Sequence, residues 1–510
     1  MPADTSTSAC TREPGFNDDN IRVAAVDLGS NSFHLLVARV TQGELRPMEA
    51  HGERVQLAAD MRNGRLDNNA MARSLECLTR FRQILTAREP DIVRVVGTNA
   101  LRAAKNASEF TDKAFGVLGY PVEVISGREE ARLVYLGVAH TLADDDRSRL
   151  VVDIGGGSTE FIIGRRFRAR LTESLHMGCV SWRDKYFANG RIRKKSFNRA
   201  YQAAYLETLN IRSAYRRVGW DNAVGSSGTL NAIAEVLSAQ HDHRQEITRA
   251  GLDALKKELL SFSCVDDLAA LPGLKEHRRN VFPSGVAICC ALFDALEIES
   301  MQTSGGALRE GVAYELLGRL SHEDVRERTV SALMTRYDSD ADNAARVEET
   351  ANHLFCQVQD SWRLSEVDGE LLRWAARLHE VGLSIAHSQF HKHGQYLIDN
   401  SDLPGFSIIE QKILGLLVRS HRRKFPVEQF ALLHGEEKLR LQRLAALLRL
   451  AVVFKYVVPV DGMPVIRFQV QDNQCKLEFP DKWLVRHPLT KAELEIEKSY
   501  LRAAGFELSY

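Results

Sequence analysis

The chain is 510 residues long, carries 67 Lys and Arg residues against 67 Asp and Glu residues, and contains eight cysteines. This length is too great for a single ordinary core and predicts about three domains. The net charge of zero excludes a global attraction to nucleic acid, so any site for a polyanion must be local. The cysteines are scattered and form no C-x-x-C pair, which disfavours a disulfide framework or a zinc cage and favours a reducing cytoplasm.

Neither a signal peptide nor a membrane span is predicted. The first twenty residues are polar, lack an apolar core and are expected to be a loose tail. The longest apolar stretch, "VFPSGVAICCALF" from Val281, contains Pro283, Ser284 and Gly285 and is predicted to be too short to cross a bilayer. We therefore expect a cytoplasmic protein with no nucleic-acid partner, and loose peripheral attachment to the inner membrane stays open.

The pattern of predicted elements divides the chain. From Ile21, strand-like runs such as "IRVAAVDLG" alternate with helical runs, which is α/β order. The pattern restarts at "RLVVDIGGGSTEFIIGRR" and continues to "MQTSGGALREGVAYELL". After about residue 316, amphipathic stretches such as "LLRWAARLHEVGL" predict a helical domain, followed by a small tail with strands. These shifts predict four domains, at residues 20–136, 137–316, 317–458 and 459–510.

An internal repeat relates the two α/β segments. The segment "VDLGSNSFHLLVAR" from Val26 aligns with "VDIGGGSTEFIIGR" from Val152 at a constant offset of 126 residues, which matches Asp27 to Asp153. Self-similarity of this size predicts two lobes, each with its own strand–loop–strand unit. The two loops could then face each other across a cleft.

The loop of the second segment contains Gly155, Gly156 and Gly157. Because glycine allows close approach, the amide groups of such a loop can converge on an anion such as phosphate. A carboxylate beside the loop is explained if a cation lies between it and the anion, which makes Asp153 a candidate Mg²⁺ ligand. A plain hairpin turn is the alternative for one loop alone, and the duplication favours phosphate binding.

Several motifs carry a family resemblance. The strings "VDLGSNSF", "VVDIGGGSTE", "AVGSSGT" and "SGGALREG" resemble the loops of the actin, sugar kinase and heat-shock ATPase superfamily. With "VVGTNALR", "SGREEARLVYLGVAH", "MGCVSW", "VFPSG" and "LHEVGL", the chain is similar, from about residue 22 to its end, to the exopolyphosphatase and guanosine pentaphosphate phosphohydrolase family. The resemblance implies two actin-like (ribonuclease H-like) α/β lobes, an all-α HD-like region and a small α+β tail. The unbroken glycine run and "SHRRK" at 420–424 look more like the exopolyphosphatase branch.

Two adjacent glutamates open the predicted helix "SGREEARLVYLGVAH". Ser126 as N-cap and Glu129 are expected to form a capping box, which leaves Glu130 free to face the cleft. The resemblance places the water-activating glutamate at this second position, where Glu130 would orient a water and accept its proton. An ion pair with Arg128 or Arg132 at the surface is the alternative role of Glu130.

Other groups are expected to share the charge of the transferred phosphate. Mg²⁺ would be held by Asp153, with Glu130 and Glu160 as further ligands, and the resemblance also implies a monovalent cation such as K⁺. The predicted phosphate-binding residues are Ser30, Asn31, Ser32, Arg102, Gly155, Gly156, Gly157, Ser158 and Gly228. For Arg102 and Gly228 a solvated arginine and a plain strand-to-helix turn are equal alternatives.

The helical region is rich in histidine and resembles an HD-type helix pair. Glu380 and Val452 stand where HD sites have aspartate ligands, so the pattern disfavours a metal site here. A long polyphosphate chain needs a positive track, which Arg422, Arg423 and Lys424 could supply unless they form only a solvated face. A homodimer could build a shared channel from two helical domains.

These features predict an exopolyphosphatase that releases orthophosphate from the ends of inorganic polyphosphate. The close alternative is a phosphohydrolase that converts guanosine pentaphosphate to the tetraphosphate. Two other classes stay open, namely a kinase or chaperone-like ATPase with the same lobes and a nonenzymatic polyphosphate-binding regulator.

Overall fold

The computed structural model describes residues 21–41, 44–59, 61, 63–142, 146–240, 246–320, 324–433, 435–457 and 466–510. The chain forms two compact units that divide between Asp324 and Val325. The predicted tail, residues 1–20, lies outside the described residues.

The first sheet of the N-terminal unit has the strand order β3–β2–β1–β4–β5. Its strands are β1 (Arg22–Leu28), β2 (Ser32–Thr41), β3 (Glu44–Arg54), β4 (Ile92–Gly97) and β5 (Val122–Val124). The helices of this segment are α1 (Asn68–Arg88), α2 (Asn99–Ala103), α3 (Ala107–Leu118) and α4 (Gly127–Thr141). Strand β1 pairs antiparallel with β2 and parallel with β4. Because β1 and β4 are parallel, their C-terminal ends lie side by side, and so do the loops that follow them.

The second sheet repeats this topology and has the order β10–β11–β9–β6–β7–β8. Its strands are β6 (Ser148–Ile154), β7 (Thr159–Arg165), β8 (Arg168–Leu175), β9 (Asn222–Gly225), β10 (Glu246–Thr248) and β11 (Ser300–Thr303). The helices of this segment are α5 (Cys179–Tyr186), α6 (Lys194–Val218), α7 (Gly228–Gln240), α8 (Arg249–Leu259), α9 (Phe282–Leu296) and α10 (Leu308–Leu320), with 3-10 turns at Asp267–Ala270 and Glu276–Val281.

The predicted repeat is confirmed residue by residue in the hairpin registers. Asp27 lies opposite His34 in the β1–β2 pair, and Asp153 lies opposite Glu160 in the β6–β7 pair. Both pairs keep the offset of 126 residues. The predicted fold class, α/β with two actin-like sheets and a helical C-terminal region, is confirmed.

Helices α4 and α10 lie between the two sheets. One apolar cluster combines Val23 and Leu36 of the first sheet with Val151 and Ile162 of the second. The same cluster contains the buried faces of α4 and α10, including Val134 and Val312. The two lobes therefore share a core along this helix pair.

The C-terminal unit is mostly helical and has one continuous core. Its helices are α11 (Val325–Arg336), α12 (Ala341–Trp362), α13 (Glu366–Leu378), α14 (Phe390–Asn400), α15 (Ile408–Ser420), α16 (Val427–Phe430), α17 (Gly435–Val453), α18 (Trp483–Arg486) and α19 (Pro488–Ala503), with 3-10 turns at Val381–Ser384 and Phe454–Tyr456. A small sheet has the order β12–β13–β14, formed by Arg467–Gln471, Gln474–Glu478 and Glu507–Ser509. The core includes Phe468 and Leu508 together with the helices, so the division at 458/459 stays a prediction within one unit.

The apolar stretch around α9 is longer than predicted, because the 3-10 turn before it extends the helical segment to Glu276–Leu296. By length and composition this segment could cross a membrane, and 83% of its most apolar part is buried inside the unit. Burial of this kind is typical of a core helix.

Candidate active site

The two repeat loops line one cavity of about 310 Å³ in the N-terminal unit. Asp27 and Asp153 both contribute to the lining, each at the start of its own loop. The predicted site residues that line the same cavity are Ser30, Asn31, Ser32, Glu130, Asp153, Gly155, Gly156, Gly157, Ser158 and Gly228. Residues far apart in the sequence therefore meet at one place, as the facing-loop hypothesis requires.

Glycines allow the two loops to approach each other closely. A Cβ atom on Gly156 would lie 3.3 Å from the Cβ of Ser30 and 3.4 Å from the Cβ of Asn31. On Gly157, a Cβ atom would collide with the side-chain oxygen of Asn99. Any larger side chain would thus force the loops apart.

Helix α5 supports the second loop from behind. The backbone N–H of Cys179 donates to the carbonyl of Gly155 and that of Val180 donates to the carbonyl of Gly156, both at 2.9 Å. With their carbonyls bound by α5, these glycines are fixed in place beside the cavity. This arrangement suits the binding of an anion by backbone groups.

In the first loop, Ser30 and Asn31 differ in what they already bind. The Oγ of Ser30 accepts the backbone N–H of Ala100 at 3.1 Å, which ties the loop to the start of α2. The Oδ1 of Asn31 is buried and has no hydrogen-bond partner within the described part of the chain. A buried polar atom without a partner is costly, so this oxygen is available for a ligand.

Glu130 lies in the first turn of α4. Ser126 caps this helix by accepting the N–H of Glu129 at 3.1 Å, whereas the carboxylate of Glu129 accepts from the guanidinium of Arg132 at 2.7 and 2.8 Å. The hydrogen bond on the Ser126 side of the predicted capping box is therefore present. Glu130 Oε2 accepts from Arg102 Nη1 at 2.7 Å.

Two predicted ligands lie behind the cavity surface. Among the described residues, Arg102 is held against Glu130 and against the carbonyl of Ile125 at 3.0 Å, and it is not part of the cavity lining. Glu160 is 1% exposed and accepts from the Ser174 hydroxyl at 2.8 Å. In this conformation each lies next to a lining residue: Arg102 contacts Glu130, and Glu160 is the cross-strand partner of Asp153.

The carboxylates of the site repel one another. Burial raises the pKa of Asp153 well above its usual range, and the charges of Glu130 and Asp27 raise it further. The pKa of Asp27 is raised by burial and by Glu130, against a smaller opposite effect of Arg309. The pKa of Glu160 is likewise raised by burial, Glu130 and Asp153. The cluster is therefore short of positive charge.

The lack of positive charge near these carboxylates fits the binding of a divalent cation that is also coordinated by a phosphate ligand. Asp27 Oδ1 is buried without a hydrogen-bond partner in the described chain, so at least one acceptor oxygen is unused. Within the same residues, no three His, Cys, Asp or Glu side chains are arranged to hold a metal ion by themselves. Mg²⁺ typically binds through one or two carboxylates, with substrate phosphate oxygens and waters completing its shell, and the residues present fit that requirement.

The three basic or imidazole side chains of the cavity lining, His34, Arg278 and Arg309, were not predicted as site residues from the sequence. His34 accepts from Arg309 Nη1 through Nδ1 at 3.3 Å, and burial together with the charges of Arg309 and Arg278 lowers the pKa of His34 to about 4. Arg278 lies against Gly228, where a Cβ atom would collide with its guanidinium. His34 could have been found from the repeat, because it occupies the position equivalent to Glu160. Arg309 belongs to the quoted motif "SGGALREG", and Arg278 had no sequence signal.

The predicted polyphosphate track lies in the C-terminal unit. The Arg422 guanidinium is 4.5 Å from the centroid of the Phe390 ring, and the carbonyl of Arg423 accepts from buried Arg449 at 2.6 Å. The side chains of Arg423 and Lys424 are exposed. The track remains a prediction.

Two glycine-containing loops around one cavity, two aspartates with raised pKa values and Glu130 beside them are typical of a two-lobed phosphohydrolase. Residues 36–320 match the Ppx/GppA phosphatase family, and residues 325–498 match domain III of the Ppx/GppA phosphatases. The chain belongs to this family, and it is a hydrolase of phosphoanhydride bonds.

Similar proteins come from several bacteria. The guanosine-5′-triphosphate,3′-diphosphate pyrophosphatase of Aeromonas hydrophila is 41% identical over 95% of this chain and 97% of its own length. The protein of the same name from Pseudoalteromonas translucida is 40% identical, with the same coverage. The crystal structure of an exopolyphosphatase from Cytophaga hutchinsonii has a TM-score of 0.55 and 25% identity, and it covers 58% of this chain and 98% of its own. The names of the two relatives correspond to the predicted alternative, guanosine pentaphosphate hydrolysis, whereas the name of the similar structure corresponds to the main prediction, exopolyphosphatase.

Proposed function

We propose that this chain hydrolyses the terminal phosphoanhydride of guanosine pentaphosphate, releasing orthophosphate and leaving the tetraphosphate. The observation that carries the proposal is similarity over nearly the whole length, at 40–41% identity, to curated proteins with that activity in their names. The cavity agrees with it, since both phosphate loops and Glu130 line one space.

Inorganic polyphosphate is the second candidate substrate. It is supported by the similarity to the exopolyphosphatase of Cytophaga hutchinsonii, which covers 58% of this chain. Both substrates present a terminal phosphate on a phosphate leaving group, so the same cavity chemistry serves either one. The difference between them must arise from groups that contact the rest of the substrate.

In the proposed reaction, the loop amides and the side chains of Asn31 and Ser158 hold the terminal phosphate. A water attacks the terminal phosphorus in line with the bridging oxygen, and Glu130 orients that water and accepts its proton. The bond from phosphorus to the bridging oxygen breaks, and the leaving phosphate departs with the negative charge. Arg102 fixes the direction of the Glu130 carboxylate through the 2.7 Å hydrogen bond.

Mg²⁺ is the proposed cofactor, with Asp153 and Asp27 as the candidate carboxylate ligands and Glu160 supporting Asp153 from behind. When bound, the ion would neutralise charge on the phosphate oxygens. A bound cation would also relieve the repulsion within the buried acidic cluster.

A competition assay tests the proposed substrate. The protein is incubated with guanosine pentaphosphate and polyphosphate, separately and together, and kcat/KM is measured for each. We expect guanosine pentaphosphate to have the higher kcat/KM and to inhibit orthophosphate release from polyphosphate. A higher kcat/KM for polyphosphate, with no inhibition by the pentaphosphate, would overturn the proposal in favour of the second candidate. GTP serves as the control that lacks the 3′-diphosphate.

A further inference from the structure

A buried carboxylate in α10 binds three arginines from three elements. Glu315 Oε1 accepts from Arg94 Nη1 of β4 at 2.9 Å and from Arg319 Nη2 at 3.1 Å, and Glu315 Oε2 accepts from Arg132 Nη2 of α4. The side chains of Glu315 and Arg94 are each 2% exposed. Removing one partner from such a group leaves a buried charge unpaired, which is strongly destabilising, so these contacts hold the elements at fixed positions.

Arg132 connects this group to the first turn of α4. Its guanidinium bonds the carboxylate of Glu129 in a bidentate manner, with Nε at 2.8 Å and Nη2 at 2.7 Å, while it also reaches Glu315. Glu129 directly precedes Glu130. The turn that carries Glu130 is therefore held from two sides, by Arg102 on Glu130 itself and by the Arg132–Glu315 contact on its neighbour.

In the described contacts, the network holds equal numbers of positive and negative side chains. Arg94 Nε donates to Glu123 Oε2 at 3.0 Å, so that the three arginines of the network are matched by Glu123, Glu129 and Glu315. A balanced group exerts little net field on the cavity. Its effect on the reaction must therefore come from where it places other residues.

The backbones of α4 and α10 touch where they cross. A Cβ atom on Gly137 of α4 would collide with the carbonyl of Ala307, and one on Gly311 of α10 would collide with the carbonyl of Leu133. With the backbones in such close contact, a displacement of one helix is expected to displace the other. Both helices begin at the cavity, α4 with Glu130 and α10 with Leu308 and Arg309.

We propose that Glu315 and Arg132 are positioning residues, which set the place of Glu130 by fixing the α4–α10 pair against strand β4 of the first sheet. The inference rests on the proposed role of Glu130. Arg94 lies beside Ala25 in the parallel β1–β4 register, so the network connects the catalytic helix to the strand pair that carries Asp27. A purely stabilising network would affect the amount of folded protein and not the rate per folded molecule.

A double-mutant cycle on the full chain tests the proposal. For Glu315→Gln we expect kcat to fall about 10- to 100-fold, since a displacement of about 1 Å can cost that much. KM should stay within about twofold, because the network does not touch substrate. In the Glu130→Gln background, adding Glu315→Gln should change the residual rate by less than about twofold, because a residue that acts through Glu130 has no effect without it.

Arg132→Lys is the second variant, in case Glu315→Gln does not fold. Lysine keeps the charge but cannot bridge Glu129 and Glu315 together, so the same pattern is expected. Arg128→Gln is the control, because Arg128 lies on the same helix in an exposed pair with Glu173 at 2.9 Å and should leave kcat unchanged. If Glu315→Gln or Arg132→Lys lowers kcat by the same factor in the Glu130→Gln background as in the wild type, the proposal is overturned.

The cycle is measured on guanosine pentaphosphate and on polyphosphate. If the proposed substrate is wrong, the wild-type protein will prefer polyphosphate while the cycle stays non-additive on it. If the positioning inference is wrong, the effects will be additive on both substrates. The two failures are therefore distinguishable.

Discussion

Partly buried acidic side chains occur in both units, and their surroundings differ. In the N-terminal unit, Asp27 and Asp153 have raised pKa values because they are buried near further carboxylates. In the C-terminal unit, Glu380 Oε1 lies 3.1 Å from Lys455 Nζ, and Glu380 Oε2 accepts from Asn343 at 2.7 Å. Burial alone would raise the pKa of Glu380, but His379, Lys455 and Asn343 hold it well below its usual range.

Glu380 forms a structural ion pair, whereas the aspartates of the N-terminal unit form a candidate binding site. Glu380 stands at a position where HD-type sites have an aspartate ligand. Here its carboxylate contacts the ammonium group of Lys455. The chain supplies no equivalent partner to Asp27 Oδ1 among the described residues. Burial of a carboxylate therefore indicates a ligand site only where the counter-charge is missing.

Glu130→Gln should have the largest effect on activity. We expect kcat to fall about 10²- to 10⁴-fold, the usual contribution of a general base, while the substrate still binds. Phosphate release measures the first result and equilibrium binding of the pentaphosphate measures the second. Glu380→Gln is the matched change in the other unit and should leave kcat unchanged. An unaltered kcat in Glu130→Gln would remove the proposed mechanism.

Asp153→Asn should lower hydrolysis about 100-fold, as expected for loss of charge stabilisation in the site. In the absence of Mg²⁺ the same variant should be more stable than the wild type at pH 7.5, with Tm higher by about 2–4 °C. The reason is that the raised pKa makes the charged form of Asp153 costly in the folded state.

The sign of the pH dependence follows from that raised pKa. The cost is absent below the ordinary pKa of Asp, about 3.9, and is fully present above the folded-state pKa, so the gain in Tm should shrink as the pH falls. Saturating Mg²⁺ should also remove the gain. Asp112→Asn, at an exposed position, is the control. A variant less stable than the wild type under Mg²⁺-free conditions would show that Asp153 is already satisfied.

Glu380→Gln should destabilise the C-terminal unit by about 1–3 kcal/mol, because the charged contact between Glu380 and Lys455 at 3.1 Å is lost. The pKa of Glu380 is lowered, so this stability is present above the ordinary pKa of Glu, about 4.3, and is lost as the pH falls further. Denaturant unfolding at pH 7 and pH 4 measures the difference. Equal stability of variant and wild type at pH 7 would contradict the structural role, and Glu349→Gln at an exposed position is the control.

The combined change Arg423→Ala and Lys424→Ala should have the smallest effect. If these exposed charges contact long polyphosphate, KM for long chains should rise about 2- to 5-fold per charge at low salt. KM for guanosine pentaphosphate should not change, and Lys491→Ala is the control. An equal rise for both substrates would contradict the track.

The sequence predicted those parts of the site that depend on local spacing. Asp27 and Asp153 could be matched because each directly precedes its loop in the two repeated segments. The loop glycines could be predicted because two loops that approach closely leave no room for larger side chains. The roles of Arg102 and Arg278 depend on side-chain direction and on packing between distant segments, which no local pattern records. Arg102 donates to Glu130 in this structure, and its predicted contact with phosphate stays a prediction.

The most direct test of the central claim is a crystal structure of the Glu130→Gln protein with guanosine pentaphosphate and Mn²⁺, using the anomalous signal of manganese. We expect one strong anomalous peak for manganese within the cavity, next to Asp153 and a phosphate of the substrate. A substrate bound between the two loops without any manganese beside the aspartates, or manganese bound only elsewhere, would contradict it.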